Sequence, residues 1–228
     1  MISGDLVESQ QMDVVKKFMM RLAKRGWATA DKLTVVPGNH DLYPASLIWP
    51  MTLNAAYQEF CRLTRRCCAG KDCEAFFSSH QIPFGKRLSS NVALAGLDTV
   101  RSGVILDVRY WASGELQEED IDAAREFFDG KSKVQHKILV THHYPYEVEF
   151  DHVEGNYVEP DPEVARNWLR YTGATLVLCG HMHGTDSRTM GKKCRLVCSG
   201  DAGDEGVYHI VDLHANGSVK VKQRQFEL

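Results

Sequence analysis

Four times along this chain a short apolar run stops at a small cluster of polar residues able to grip a cation. Leu33-Thr34-Val35-Val36 runs into Pro37-Gly38-Asn39-His40-Asp41, and His136 to Val140 runs into Thr141-His142-His143. Thr175 to Cys179 delivers Gly180-His181-Met182-His183, and Ile2-Ser3 leads into Gly4-Asp5 in the same way. Helical patterns lie between these runs. Met12, Val15, Phe18, Met19 and Leu22 recur at three- and four-residue spacing before Gly26, and Leu116 to Phe128 and Pro162 to Tyr171 also read as helices. Strand alternating with helix dictates an α/β fold whose right-handed crossovers bring the carboxyl ends of parallel strands to one edge. Ligands bind at that edge. Asp5, Asn39, His40, Asp41, His142, His181 and His183 are therefore expected in one neighbourhood.

The chain's 228 residues suffice for one domain with a sizeable core, and 1–228 reads as a single domain. Val92 to Asp98 is a further strand. The tail, Cys194 to Ser199, Val207 to Leu213 and Ser218 to Gln223, reads as a meander turning at Asn216-Gly217, which makes the sheet mixed. Residues 42–90 break the rhythm with Pro44, Pro50 and Pro83 around a helix from Leu53 to Arg65, and read as an insertion over the site. The loop at 146–161 reads as the opposite rim. Cys61, Cys67, Cys68 and Cys73 lack the repeated two-residue gap of a zinc knot and read as ordinary loop cysteines. Arg65, Arg66, Lys86 and Arg87 read as solvated charges rather than phosphate contacts.

A formal net charge of -3 gives no hint of a nucleic-acid or membrane surface, so the expected partner is a small molecule. Seven cysteines, an odd number, with Cys179, Cys194 and Cys198 in apolar strand-like surroundings, fit a reducing compartment. No apolar run is long enough to span a bilayer and no secretion pattern opens the chain, so a cytoplasmic location is expected.

Asp5, Asn39, His142, His181 and His183 together supply one carboxylate, one amide oxygen and three imidazoles. Such a mixture suits Mn, Fe, Zn or Co, whereas Mg and Ca prefer all-oxygen shells. On an extended segment His181 and His183 would point to opposite sides, serving two adjacent metals rather than chelating one.

Gly4-Asp5, Gly38-Asn39-His40-Asp41, the His142-His143 pair and Gly180-His181-Met182-His183 resemble four of the five blocks of the calcineurin-like metallophosphoesterase superfamily. Gly96-Leu97-Asp98 and Gly114-Glu115-Leu116 resemble the middle of its cyclic-nucleotide and purple-phosphatase-like branches. The resemblance implies a four-layer α/β/β/α sandwich of two mixed sheets flanked by helices, and a metal-dependent hydrolase of phosphodiesters or phosphomonoesters with a metal-bridged hydroxide as nucleophile. It implies that Asp5 bridges two metals, that Asn39, His142 and His181 serve the second, and that His183 serves the first. His40 would stabilise the phosphoryl oxygens and protonate the leaving alkoxide, with Asp41 orienting its ring. His143, followed by X-Pro, competes with His142 for the ligand role.

The fifth block, an Asp-X-His on the first strand, has no counterpart before Gly4-Asp5, and the first strand is expected to be missing with it. Asp212-Leu213-His214 spells the pattern, but late in the chain, where an ordinary strand before the Asn216-Gly217 turn is expected. An incomplete first metal site leaves an alternative: a non-catalytic scaffold sharing the fold.

Overall fold

The computed structural model describes residues 1–7, 11–42, 53–68, 73–75, 82–100, 114–130, 134–145, 148–149, 162–190, 193–200 and 206–226. In chain order its elements are α1 (Met12–Lys24), α2 (Asn39–Leu42), α3 (Leu53–Cys68), β1 (Cys73–Ala75), β2 (Phe84–Ser89), β3 (Val92–Gly96), β4 (Gly114–Glu115) and α4 (Glu118–Asp129). There follow β5 (His136–Val140), β6 (Val148–Glu149), α5 (Pro162–Thr172), β7 (Leu176–Cys179), β8 (Asp186–Met190), β9 (Cys194–Cys198), β10 (Val207–Leu213) and β11 (Val219–Gln225).

Seven strands form the main sheet in the order β1-β2-β3-β5-β7-β9-β8. Its four central strands, β3, β5, β7 and β9, run parallel, while β1-β2, β2-β3 and β8-β9 pair antiparallel. The sheet is mixed, as expected. Side chains alternate across a strand, and that period divides the core in two. Ala93, Ala95, Leu139, Val177, Cys179, Leu196 and Cys198 face one side, where α4 and α5 cover them with Ile121, Phe127, Phe128, Trp168 and Leu169. Leu94, Ile138, Val140, Leu176 and Val197 face the other, toward Val15 and Met19 of α1 and Ala56 and Phe60 of α3.

A second, thinner β layer belongs to that second core. Ile2 pairs in parallel with Val35 through Ile2 N–H to the Thr34 carbonyl (2.8 Å) and Val36 N–H to the Ile2 carbonyl (3.2 Å). The antiparallel hairpin β10-β11 packs Val211, Leu213, Val219 and Val221 against the same cluster. From helix pair to helix pair the order is α, β, β, α, which is the layering the sequence implied.

Helix α1 forms because Met12, Val15 and Met19 share one buried stripe. It stops where Gly26 takes φ +68 and donates to the Ala23 carbonyl at 3.0 Å.

Within the segment 42–90, the described residues contribute to the framework. Helix α3 lies in the second core and β2 is a full member of the main sheet. Lys86, expected in solvent, is only 2% exposed. Its ammonium donates to the carbonyls of Leu33 (2.8 Å) and Cys67 and to the Thr34 hydroxyl (3.2 Å), tying β2 to the run that leads into Gly38 and to the last turn of α3. Cys61 and Cys67 are buried residues of that core; the side chains of Cys68 and Cys73 lie outside the description. So does most of the expected rim at 146–161.

Candidate metal centre

Two pairs of parallel strand ends meet at one edge. The Ile2-Val35 pair delivers Asp5 and the first residues of α2, while β5 and β7 deliver His142 and His181. Glycine lets the two pairs approach. A Cβ on Gly38 would overlap the backbone nitrogen and carboxylate of Asp5, and one on Gly4 would stand 2.5 Å from His142 Nδ1. Side chains are excluded at both places, so the Asp5 and Asn39 turns lie directly against one another.

His142 is the hub. Its Nδ1 lies 2.7 Å from the Ser3 carbonyl, which can only accept, so Nδ1 carries the proton. In the neutral ring Nε2 is then a bare lone pair. That lone pair faces Asn39 Oδ1 at 2.8 Å, Asp5 Oδ2 at 3.3 Å and His181 Nδ1 at 3.2 Å. Electron-rich atoms gathered this closely repel one another unless a proton or a cation lies among them. A carbonyl holding the far nitrogen of an imidazole is the usual support of a metal-ligating histidine, so the residues fit the cation implied by their chemistry.

Asp5 is held in readiness. His40 N–H donates to its Oδ1 at 3.0 Å. Asp41 is fully buried and spends its oxygens on backbone, accepting from Gly38 N–H (2.9 Å) and Val7 N–H (3.3 Å). Burial pushes it up to about 7. It binds the Asp5 turn to the Gly38 turn, while His40, next in sequence, is exposed.

His143 also enters the cluster. Its ring centroid lies 4.8 Å from that of His142 and 4.5 Å from that of His181, and one ligand atom from each of the three histidines lies within 4.8 Å of the others. Thr99 Oγ1 accepts from its backbone N–H (3.1 Å) and lies 2.9 Å from Nδ1, whereas Nε2 is buried with no hydrogen-bond partner among the described residues. Burial, then repulsion from His142 and His181, holds this imidazole well below its ordinary value and keeps it neutral.

The Gly180–His183 segment differs from the extended one expected. Met182 N–H closes onto the Gly180 carbonyl at 2.9 Å, and His181 (φ +72) and His183 (φ +50) both take left-handed backbone. With Asp5 (φ +51) they are the non-glycine residues of positive φ among the described residues. Each such conformation costs about 1–2 kcal/mol, and strain of this kind collects where geometry serves a ligand. The turn aims His181 inward and leaves His183 exposed at the rim.

Sequence reasoning missed the supporting residues. Ser3 contributes only a carbonyl, Thr99 has no distinctive pattern, and Tyr144 and Asp186, bonded at 2.6 Å, join the two histidine-bearing turns from outside. Thr99 could have been found from register alone, because Gly96 pairs with Val140 and the two chains run on side by side. Asp98 ends β3 by accepting from Val100 N–H at 2.9 Å, and burial pushes it up to about 7. Asp212 and Leu213 end β10 and His214 follows it, away from this edge: Asp212 pairs with Lys222 at 2.6 Å, and the His214 carbonyl lies 2.8 Å from His136 Nε2.

Residues 1–185 match the family described as calcineurin-like phosphoesterase. No curated protein matches the chain. Among solved structures, a Thermotoga maritima protein determined by solution NMR aligns with 50% of this chain and 95% of its own at 13% identity and a TM-score of 0.24, too slight a likeness to carry an argument.

Proposed function

Because this chain belongs to the calcineurin-like phosphoesterase family, whose members are metal-dependent phosphoester hydrolases, we propose that it hydrolyses a small phosphodiester or phosphomonoester at the His142 hub. The observation that supports this reading most is the convergence of Asn39 Oδ1, Asp5 Oδ2 and His181 Nδ1 on the one nitrogen of His142 that the Ser3 carbonyl leaves unprotonated. A cation there supplies Lewis acidity toward a phosphoryl oxygen and a nucleophile at neutral pH.

Asp5, Asn39, His142 and His181 are the residues assigned to hold it, with Mn, Fe, Zn or Co the cations their donors favour. His183 would help to hold the other cation. In this reading His40, which is exposed and donates its backbone N–H to Asp5, would touch the phosphoryl group and give a proton to the departing oxygen. Asp41 acts through the backbone, holding the two turns together. Turnover of bis(p-nitrophenyl) phosphate with and without added Mn tests the reading. A metal-stimulated rate that His40→Ala lowers by about a hundredfold supports it; a metal-independent null, the behaviour of a scaffold, contradicts it.

A further inference from the structure

The outer face of α1 is a strongly basic surface segment, and the site makes no use of it. Between Met12 and Lys32 the sequence holds Lys16, Lys17, Arg21, Lys24, Arg25 and Lys32 against Asp13 and Asp31 alone, in a protein of net charge -3. All six cations are exposed. The helix has already buried its apolar stripe in the second core, so these charges form a separate, outward surface. Internal pairing consumes little of it: Lys17 meets Asp13 at 3.2 Å in an exposed pair worth little, and Lys32 reaches the Gly26 carbonyl at 2.8 Å.

Apolar side chains interrupt the cations. Val14 is 39% exposed, Met20 53% and Trp27 52%. Met20 lies one helical turn from Lys16, Lys17 and Lys24, so a thioether stands out of a ring of ammonium groups. Trp27 carries the Arg25 guanidinium 5.5 Å above its ring, an amphipathic unit with an apolar body and a charged cap.

We infer that this face docks on an anionic phospholipid membrane, the cations meeting lipid phosphates while Val14, Met20 and Trp27 enter the interface. The charge is complementary, and about fivefold in partitioning follows from each Lys or Arg near such a surface. Exposed aliphatic groups among the cations favour lipid over nucleic acid, because Val14 and Met20 have no base to stack on, while tryptophan is a preferred residue at bilayer boundaries. Attachment is peripheral: no described helix is long and apolar enough to cross a membrane. The inference is independent of the proposed hydrolase activity, since none of these residues lies among the metal-centre side chains.

Co-sedimentation of the chain with vesicles tests it, using phosphatidylcholine alone and phosphatidylcholine with phosphatidylserine at roughly three to one. Binding to the anionic vesicles alone, abolished by about 0.5 M NaCl, is expected. Replacing Lys16, Arg21 and Lys24 together by glutamine should lower it about a hundredfold. Trp27→Ala should weaken it at unchanged charge, and metal-stimulated ester turnover in solution should be unaltered in both variants. Equal binding to both vesicle types, wild-type binding by the triple variant, or binding to a single-stranded oligonucleotide with none to vesicles would each overturn the inference.

Discussion

The carboxyl edge of the parallel strands and the β10-β11 hairpin hold the same residue types and do opposite things with them. At the edge, Asp5 and His142 are drawn together with Asn39 and His181 until their donor atoms face one another. In the hairpin, Asp212 and His214 sit two residues apart, yet the carboxylate is neutralised by Lys222 and the neighbouring carbonyl is occupied by His136. What separates the two is arrangement. The edge has strained backbone, glycines that admit close approach and a carbonyl that sets a tautomer; the hairpin has exposure and ordinary cross-strand pairing. A ligand set is therefore recognised by donors left facing each other, and adjacency in sequence is a poor guide.

The largest difference should appear when each region loses a histidine. His142→Ala removes the hub, and metal content should fall to background, with phosphodiester turnover down by more than a hundredfold, since even supporting residues of such sites cost 10–100-fold. His214→Ala should change neither, as measured by metal analysis and steady-state rates on the same preparations.

The aspartates should separate next, through pH. Asp98 is pushed up to about 7 by burial, so the folded state keeps its proton where the unfolded chain has released it. Its contribution to stability is present below the unfolded value near 4 and is lost as pH rises through 7, by at most about 4 kcal/mol. Asp98→Asn keeps an acceptor for Val100 N–H, and denaturant melts should match wild type at pH 4 and show greater stability at pH 8. Asp212 runs the other way. Lys222 holds it below its ordinary value, so its stabilisation exists at neutral pH and fades on acidification. Exposure makes that effect the smallest expected here, and Asp212→Asn should leave metal content untouched.

Between these lies the pair of glycines. Gly38→Ala drives a methyl into Asp5, and should cost about 1–3 kcal/mol of stability and displace the site, read as loss of metal-stimulated turnover. Gly217 has positive φ but open space around it, so Gly217→Ala should cost about 1 kcal/mol and spare activity.

Much of the architecture was legible because the buried strands obey simple patterns. The boundaries of β5 and β10 follow their apolar runs, and the helical stripes of α1, α4 and α5 stand out at their expected spacing. Strand β2 escaped because Phe84, Gly85 and Lys86 are buried in succession and the next three residues are exposed, which abolishes alternation. Strand β8 escaped because it lies at the sheet's end and is mostly polar. Lys86 shows the limit of residue-type reasoning. An ammonium is ordinarily solvated, and only the meeting of Leu33, Thr34 and Cys67 gives it oxygen atoms enough to stay buried. The site's ligands were readable at strand ends, but Thr99 and the Ser3 carbonyl depend on which strands are neighbours. Net charge concealed the basic face of α1, because acids elsewhere cancel it.

Crystals grown with Mn and measured at a wavelength where it scatters anomalously would test the central claim most directly. The account expects a peak bounded by Asp5 Oδ2, Asn39 Oδ1, His142 Nε2 and His181 Nδ1. A peak at Asp212 and His214, or none at the strand edge with Mn present in excess, would contradict it.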